Sequence, residues 1–282
     1  MPFGRKIEVK KSKYEIDMCS GSIMDKLISF SLPLMLSGIL QLMFNAVDII
    51  VVGRFSGSEA LAAVGSTTAL ISMFTNLFIG VSLGTSVLTA RFYAAGRDQE
   101  VSETVHTSIM LALLSGILMV FVGLFFSRGA LELMDTPDDV IDLSTLYMKI
   151  YFVGMPFFML YNYGAAVLRA VGDTKRPLFF LIISGVLNAG LNLFLVVVFH
   201  MGVAGVGIAT VISQMVSCVL VLICLYRAES SYQLRLSKLT MKGVYLKQIF
   251  QVGVPAGIQS TVINFSNVLL QSSVNSFGSI AM

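Results

Sequence analysis

Twenty-seven consecutive residues, Leu27 to Gly53, carry a single formal charge, at Asp48. A membrane-crossing helix needs roughly 20 apolar residues, so this run is long enough to span a bilayer. A carboxylate in hydrocarbon is expensive, which makes Asp48 a functional-site candidate by default. The competing reading places it at the membrane interface, because Arg54 lies only six residues away. Ser37, Gln41, Asn45 and Asp48 follow one another at steps of 4, 4 and 3 and so share a helical face, with Leu, Ile, Met, Phe and Val on the others.

The same stretch recurs near the end of the chain. A shift of 222 residues lays Pro33 on Pro255, Asn45 on Asn267 and Phe55 on Phe277, and both copies open a block after a basic segment. Asp48 falls on Leu270, so the ionisable group is not repeated. Only 12% of the residues are charged against 56% hydrophobic, where soluble domains run about 25% charged. The long, non-alternating apolar runs call for an all-α integral membrane protein rather than a β-barrel. The net charge of +3 is spread over loops and carries no nucleic-acid signature. Cys19, Cys218 and Cys224 have neither metal-ligand spacing nor a disulfide pattern. Residues 1–26 are too polar for a signal peptide.

Taken in order, the polar tail 1–26 precedes a first span at 27–53. Further spans follow at about 60–91, 104–127, 143–168, 178–199 and 204–226, and a seventh begins near Gln248. Pro156 is placed to kink the fourth span, and Gly80, Gly84 and Thr85 suit close packing of the second. With the N-terminus in the cytoplasm, the inner side holds 16 of the 19 basic residues, and the outer side only Arg54, Arg128 and Lys149 beside an acidic loop at 128–142. That asymmetry satisfies the positive-inside rule.

Depth then asks whether the polar residues meet. At ~1.5 Å per residue, Asp48 lies about 30 Å from the inner end of the first span, Asn192 roughly 20 Å from the inner end of the fifth, and Thr210 about 9 Å from the outer end of the sixth. All three fall in the outer half of the bilayer. Ser184, Asn188 and Asn192 share one face, as do Thr210, Ser213, Gln214 and Ser217. A carboxylate among amide and hydroxyl oxygens can hold a proton or a hard cation such as Na⁺. For Gln41, Asn76 and Gln214 the plainer role is hydrogen bonding between helices. Pro33 and Pro156 serve equally well as packing kinks. His106 and His200, at helix ends, carry no assigned role.

Four segments together resemble the multidrug and toxic compound extrusion (MATE) transporters: SLPLMLSGILQLMFNAVDIIVVGRFSGSEALAAVG at 31–65, LRAVGDTKRP at 168–177, SGVLNAGLNLFLV at 184–196 and GVAGVGIATVISQ at 202–214. The resemblance covers about residues 20–282, the N-terminal half of the family's layout. It implies a twelve-helix transporter of two six-helix lobes related about the membrane normal, here a cytoplasmic tail 1–26, a six-helix lobe 27–226, a cytoplasmic linker 227–247 and the first helix of an incomplete second lobe at 248–282. Five further helices are expected by resemblance, so the chain reads as a truncated half whose missing partner is the second lobe.

The resemblance further implies multi-pass residence in the inner (plasma) membrane and export of amphipathic, often cationic small molecules against an H⁺ or Na⁺ gradient, with no cofactor beyond that ion. It places the cation or proton site at Asp48, Asn188, Asn192 and Thr210. Many members carry a second aspartate where this chain has Asn192, which leaves Asp48 the single titratable member and favours a proton cycle. Pro33, Gln41, Asn45, Asn76, Gln214 and Asn267 are the expected cavity or gating residues. Two alternatives stand beside the exporter. A lipid-linked oligosaccharide flippase is disfavoured because Arg54, Arg91 and Arg169 fall at helix ends; a non-transporting membrane fragment is the other. HExxH, GxSxG and GxxxxGK[ST] are all absent from the sequence, so an enzyme reading has no support.

Overall fold

The structure is a computed structural model that describes residues 22–277. Eight α-helices and no strand occur among the described residues: α1 (Ile23–Phe55), α2 (Ser58–Ala94), α3 (Asp98–Glu132), α4 (Asp138–Val153), α5 (Met155–Ala170), α6 (Lys175–Leu193), α7 (Gly202–Tyr226) and α8 (Gly243–Asn275). With no water to satisfy backbone groups in a bilayer, apolar runs of this length close their hydrogen bonds internally, and helices result. Five of these helices are long and apolar enough to cross a membrane: α1, α2, α3, α6 with its continuation to Val198, and α7. The pair α4 and α5, bent by 48°, makes a sixth.

Several expected boundaries move. The first span begins at Ile23 rather than Leu27, so part of the expected tail is helical; the rest of that tail, 1–21, lies outside the described residues, as do 278–282. The expected linker 227–247 shortens, because α8 begins at Gly243. Charged turns such as DQEVSE at the start of α3 extend the helices past their apolar cores, since Asp and Glu are favourable at helix N-termini. α8 is a 33-residue helix but does not join the apolar set, because its second half is rich in Ser, Thr, Asn and Gln.

The fourth span breaks at Gly154, two residues before the expected kink. Pro156 has no N–H to donate and its ring presses on the carbonyl of the preceding turn. The backbone accommodates it by ending α4 at Val153 and restarting at Met155. The restarted helix is the centre of the molecule. Tyr163, Ala165, Ala166, Val167 and Leu168 are fully buried, with α2, α3 and α7 packed around them. Gly116 of α3 sits against the backbone of Pro156, so the break is wedged between neighbours rather than free to flex.

α8 packs chiefly along α2. Each helix brings a Gly-x-x-x-Gly pair to the crossing: Gly80 and Gly84 on α2, Gly253 and Gly257 on α8. A methyl group at Gly80 would lie 2.1 Å from Gly257 Cα, and one at Gly253 would lie 2.5 Å from Val81 Cα. The two backbones therefore touch, as small residues allow in membrane helix pairs. α1 lies at the opposite edge against α6 and α2, with a large share of its surface uncovered.

Candidate functional site

Asp48 is buried, 7% exposed, on the side of α1 that faces α6 and α7. Its placement follows from the packing one turn earlier. The Phe44 ring covers Gly185 of α6, where a methyl group would fall inside the ring. That close approach brings the next turn of α1 level with Asn188 and Asn192, both buried on α6.

The polar groups form one connected chain across three helices. Asn192 Nδ2 donates to Asp48 Oδ1 and, at 3.2 Å, to Asn188 Oδ1. Asn188 Nδ2 donates at 3.4 Å to Thr210 Oγ1 on α7. Thr210 donates at 3.0 Å to the Val206 carbonyl, which leaves its oxygen free to accept from Asn188. Asp48 makes no ion pair among the described residues. Its charge is met only by neutral donors, an arrangement that costs several kcal/mol for an isolated buried ion by order of magnitude. Asn192 is fully buried, and its Oδ1 has no partner. The group thus offers a carboxylate, two amide oxygens and a hydroxyl, the donor chemistry that a proton or a hard monovalent cation requires. Just beyond Asn192, α6 widens into a π-helical turn at Phe194–Val198.

Two tyrosines belong to this neighbourhood that the sequence did not single out. Tyr147 and Tyr151 of α4 lie within electrostatic reach of Asp48, their ring centroids 6.1 Å apart. Gly207 of α7 lets α4 come this close, since a methyl group there would press on Ile150. Aromatic residues inside an apolar run carry no periodic polar signal, which is why pattern reading passes over them.

The remaining candidates separate. Pro33 is buried within α1, its carbonyl accepting from Ser37 Oγ at 2.8 Å. Gln41 and Asn45 are exposed, so the stripe starting at Ser37 does not reach the Asp48 cluster as a whole. Asn76 is half-buried and folds back on its own helix, donating to the Ser72 carbonyl at 2.7 Å. Gln214 is half-buried, with its Oε1 buried and unpartnered against Gly154 at the break between α4 and α5. Asn267 is exposed on α8.

Comparison with known proteins bears on what this fold is. The MatE family model matches residues 33–194, more than half of the chain. The chain belongs to the MatE family. It is 33% identical over 89% of its length to a protein named probable multidrug resistance protein YoeA of Bacillus subtilis, covering 56% of that protein. It is 28% identical over 88% of its length to probable multidrug resistance protein NorM of Thermotoga maritima, covering 55% of it. Multidrug export protein MepA of Staphylococcus saprophyticus is 22% identical over 93% of this chain. The chain thus spans a little over half the length of these relatives.

Solved MATE structures share the fold. An inward-facing MATE family transporter superposes with a TM-score of 0.78 at 22% identity, covering 84% of this chain and 54% of the other. An outward-facing one gives 0.82 at 23%, covering 92% and 57%. MatE proteins are transporters rather than enzymes, and this one is a multi-pass membrane protein.

Proposed function

We propose that this MatE chain is part of a secondary active exporter of amphipathic small molecules, coupled to H⁺ or Na⁺ through Asp48. The observation that carries the reading is the chain of hydrogen bonds from Asp48 through Asn192 and Asn188 to Thr210, which ties α1 to α6 and α7 at a single buried carboxyl. With Asp48 ionised, Asn192 turns its N–H toward it. A protonated or cation-bound carboxyl instead calls for an oxygen, and the unpartnered Asn192 Oδ1 is the nearest candidate. Reversing that amide reverses every bond in the chain. Thr210 then turns its hydroxyl from the Val206 carbonyl to Asn188. The two charge states therefore favour different contacts between α1 and its neighbours, which is what a coupled transporter needs.

The relatives' greater length supports a second six-helix lobe, joined through the segment after α7, with the N-terminus in the cytoplasm. Gln41 and Asn45 on α1 and Asn267 on α8 are exposed polar positions that such a lobe would enclose in a substrate cavity, together with Asn76 and Gln214. Pro33 is placed to flex α1 below the site. Substrate would enter between the lobes, as in other repeat-built transporters.

The test is transport in vesicles under an imposed H⁺ or Na⁺ gradient, using the longest protein the coding region specifies and a fluorescent cationic dye as substrate. Asp48→Asn keeps the shape and removes the charge. The expected result is loss of gradient-driven export by tenfold or more with dye binding retained. Undiminished export by Asp48→Asn would remove the carboxyl from coupling.

A further inference from the structure

Two adjoining cavities lie under the segment that joins α7 to α8. The first, about 700 Å³, is lined by polar and charged residues, with Ser102, Glu103 and His106 of α3 on one wall and Arg235, Lys238 and Lys242 on the other. The second, about 350 Å³, is apolar, with Leu113 of α3, Leu222 of α7, and Leu234, Leu236 and Leu239 of the same segment. They share α3 and the connecting segment as walls. Leu113 lies seven residues beyond His106 along α3, roughly 10 Å further into the membrane at 1.5 Å per residue. The alternation of Leu234, Arg235 and Leu236 sends leucines to the lower cavity and a cation to the upper one.

The segment is held in place. The His106 ring donates from Nδ1 to the Ser102 carbonyl at 2.6 Å and accepts at Nε2 from the Arg235 backbone N–H at 3.0 Å. Leu234 N–H donates to the Leu225 carbonyl at 3.0 Å, and Lys242 N–H to Thr107 Oγ1 at 3.2 Å. The cleft's charges do not balance. Lys242 pairs with Glu103 at 2.7 Å. Arg235 uses its Nε on the neutral Gln233 Oε1, and neither Arg235 nor Lys238 makes an ion pair among the described residues. Asp98 is the remaining acid in the cleft, so three cations face two acids. Ser231 Oγ, also at the cleft, is buried without a partner.

We propose that the paired cavities bind an anionic phospholipid of the leaflet on this side of the membrane. Its phosphate lies against Arg235 and Lys238, with Ser231 as a further hydrogen-bond donor, and one acyl chain fills the leucine groove below. A basic rim over an apolar groove at the membrane surface is the complement of such a molecule. A zwitterionic lipid satisfies the groove but not the uncompensated charge, and a soluble anion satisfies the charge but not the groove. The site is separate from the Asp48 cluster, so its fate does not depend on the export mechanism.

The chain contains no tryptophan, so Leu113→Trp supplies a single indole in the groove. Quenching of that indole by brominated-chain phosphatidylglycerol is compared with quenching by brominated phosphatidylcholine. The expected result is a relative affinity of about fivefold or more for phosphatidylglycerol, falling to near one in Arg235→Gln/Lys238→Gln and unchanged by millimolar inorganic phosphate. Equal quenching by the two lipids would overturn the proposal, as would a preference that survives the double substitution. Loss of the preference on adding phosphate would overturn it in favour of a free-anion site. Both substituted side chains are exposed, and an unchanged melting temperature in phosphatidylcholine verifies folding. Should the double variant fail that check, the same lipid comparison in Leu113→Trp at rising salt takes its place: preference for phosphatidylglycerol is expected to fall with screening, and a salt-independent preference would overturn the proposal.

Discussion

α1 and α8 are related by the 222-residue shift, and each carries a proline inside the helix, Pro33 and Pro255. They are nevertheless attached in opposite ways. α8 meets α2 backbone to backbone through four glycines, a joint made of shape alone. α1 meets α6 through a flexible ring, Phe44 over Gly185, and through the buried bond between Asp48 and Asn192. A joint made of shape is indifferent to protons and ions. A joint that includes an ionisable group is not. On the proposed coupling through Asp48, α1 is the edge helix whose hold on its neighbours an ion would change, while the glycine crossing of α8 on α2 would not respond.

The largest effect is expected at the glycine crossing. In Gly257→Leu the new side chain meets the backbone of Leu77, at 2.5 Å from its carbonyl oxygen, and nothing there can swing aside. A loss of about 3 kcal/mol or more follows, at the upper end for overpacking, visible as a collapsed melting temperature and protease-sensitive α8. If Gly257→Leu melts like the parent, the α2–α8 joint is not the rigid one.

Asn192→Ala comes next. It removes a donor to a buried carboxylate, worth about 1.5–3 kcal/mol. The same substitution in an Asp48→Asn background is expected to cost measurably less, because no charge is left stranded. Equal costs in the two backgrounds, measured as a double-mutant cycle, would make the α1–α6 joint as charge-blind as the α8 seam.

Gly185→Ala sharpens the contrast. The added methyl meets a side-chain ring rather than backbone, so Phe44 rotates away at a cost of about 1–2 kcal/mol, with α8 undisturbed. The smallest effect belongs to the exposed positions. Gln41→Ala and Asn45→Ala should shift stability by no more than about 0.5 kcal/mol while changing which dyes are exported. A stability loss well above that would mean these residues already pack against the described helices.

How much of this was legible in the sequence depends on what each residue's position rests on. Asp48 stood out because a single charge in an apolar run is rare, and depth along a helix placed it level with Asn192 and Thr210; the choice of Asn188, Asn192 and Thr210 as its partners from among several polar stripes came from the family resemblance. Gln41 and Asn45 were placed on the same stripe, yet they face outward. Steps of four advance a helical position by about 40° and a step of three turns it back by about 60°, so a stripe several turns long wanders, and the neighbour decides which end is buried. The Phe44–Gly185 contact decides it here, and that contact is long-range. The break at Gly154 instead of Pro156 has a local cause, but it is set by the turn that precedes a proline and not by the proline itself. Gly80 and Gly84 were readable as spacing suited to close packing; their partners on α8, Gly253 and Gly257, were not singled out, since pairing between helices distant in sequence leaves no trace in one chain alone.

The central claim is that the hold on α1 depends on the charge of Asp48. Spin labels at Met43 on α1 and Val219 on α7, both exposed, would report the separation of the two helices, with Cys19, Cys218 and Cys224 replaced by serine. The account predicts a distance distribution that shifts in the parent protein when pH is lowered or Na⁺ is added, and a single, unresponsive distribution in Asp48→Asn. A shift of the same size in Asp48→Asn would contradict it.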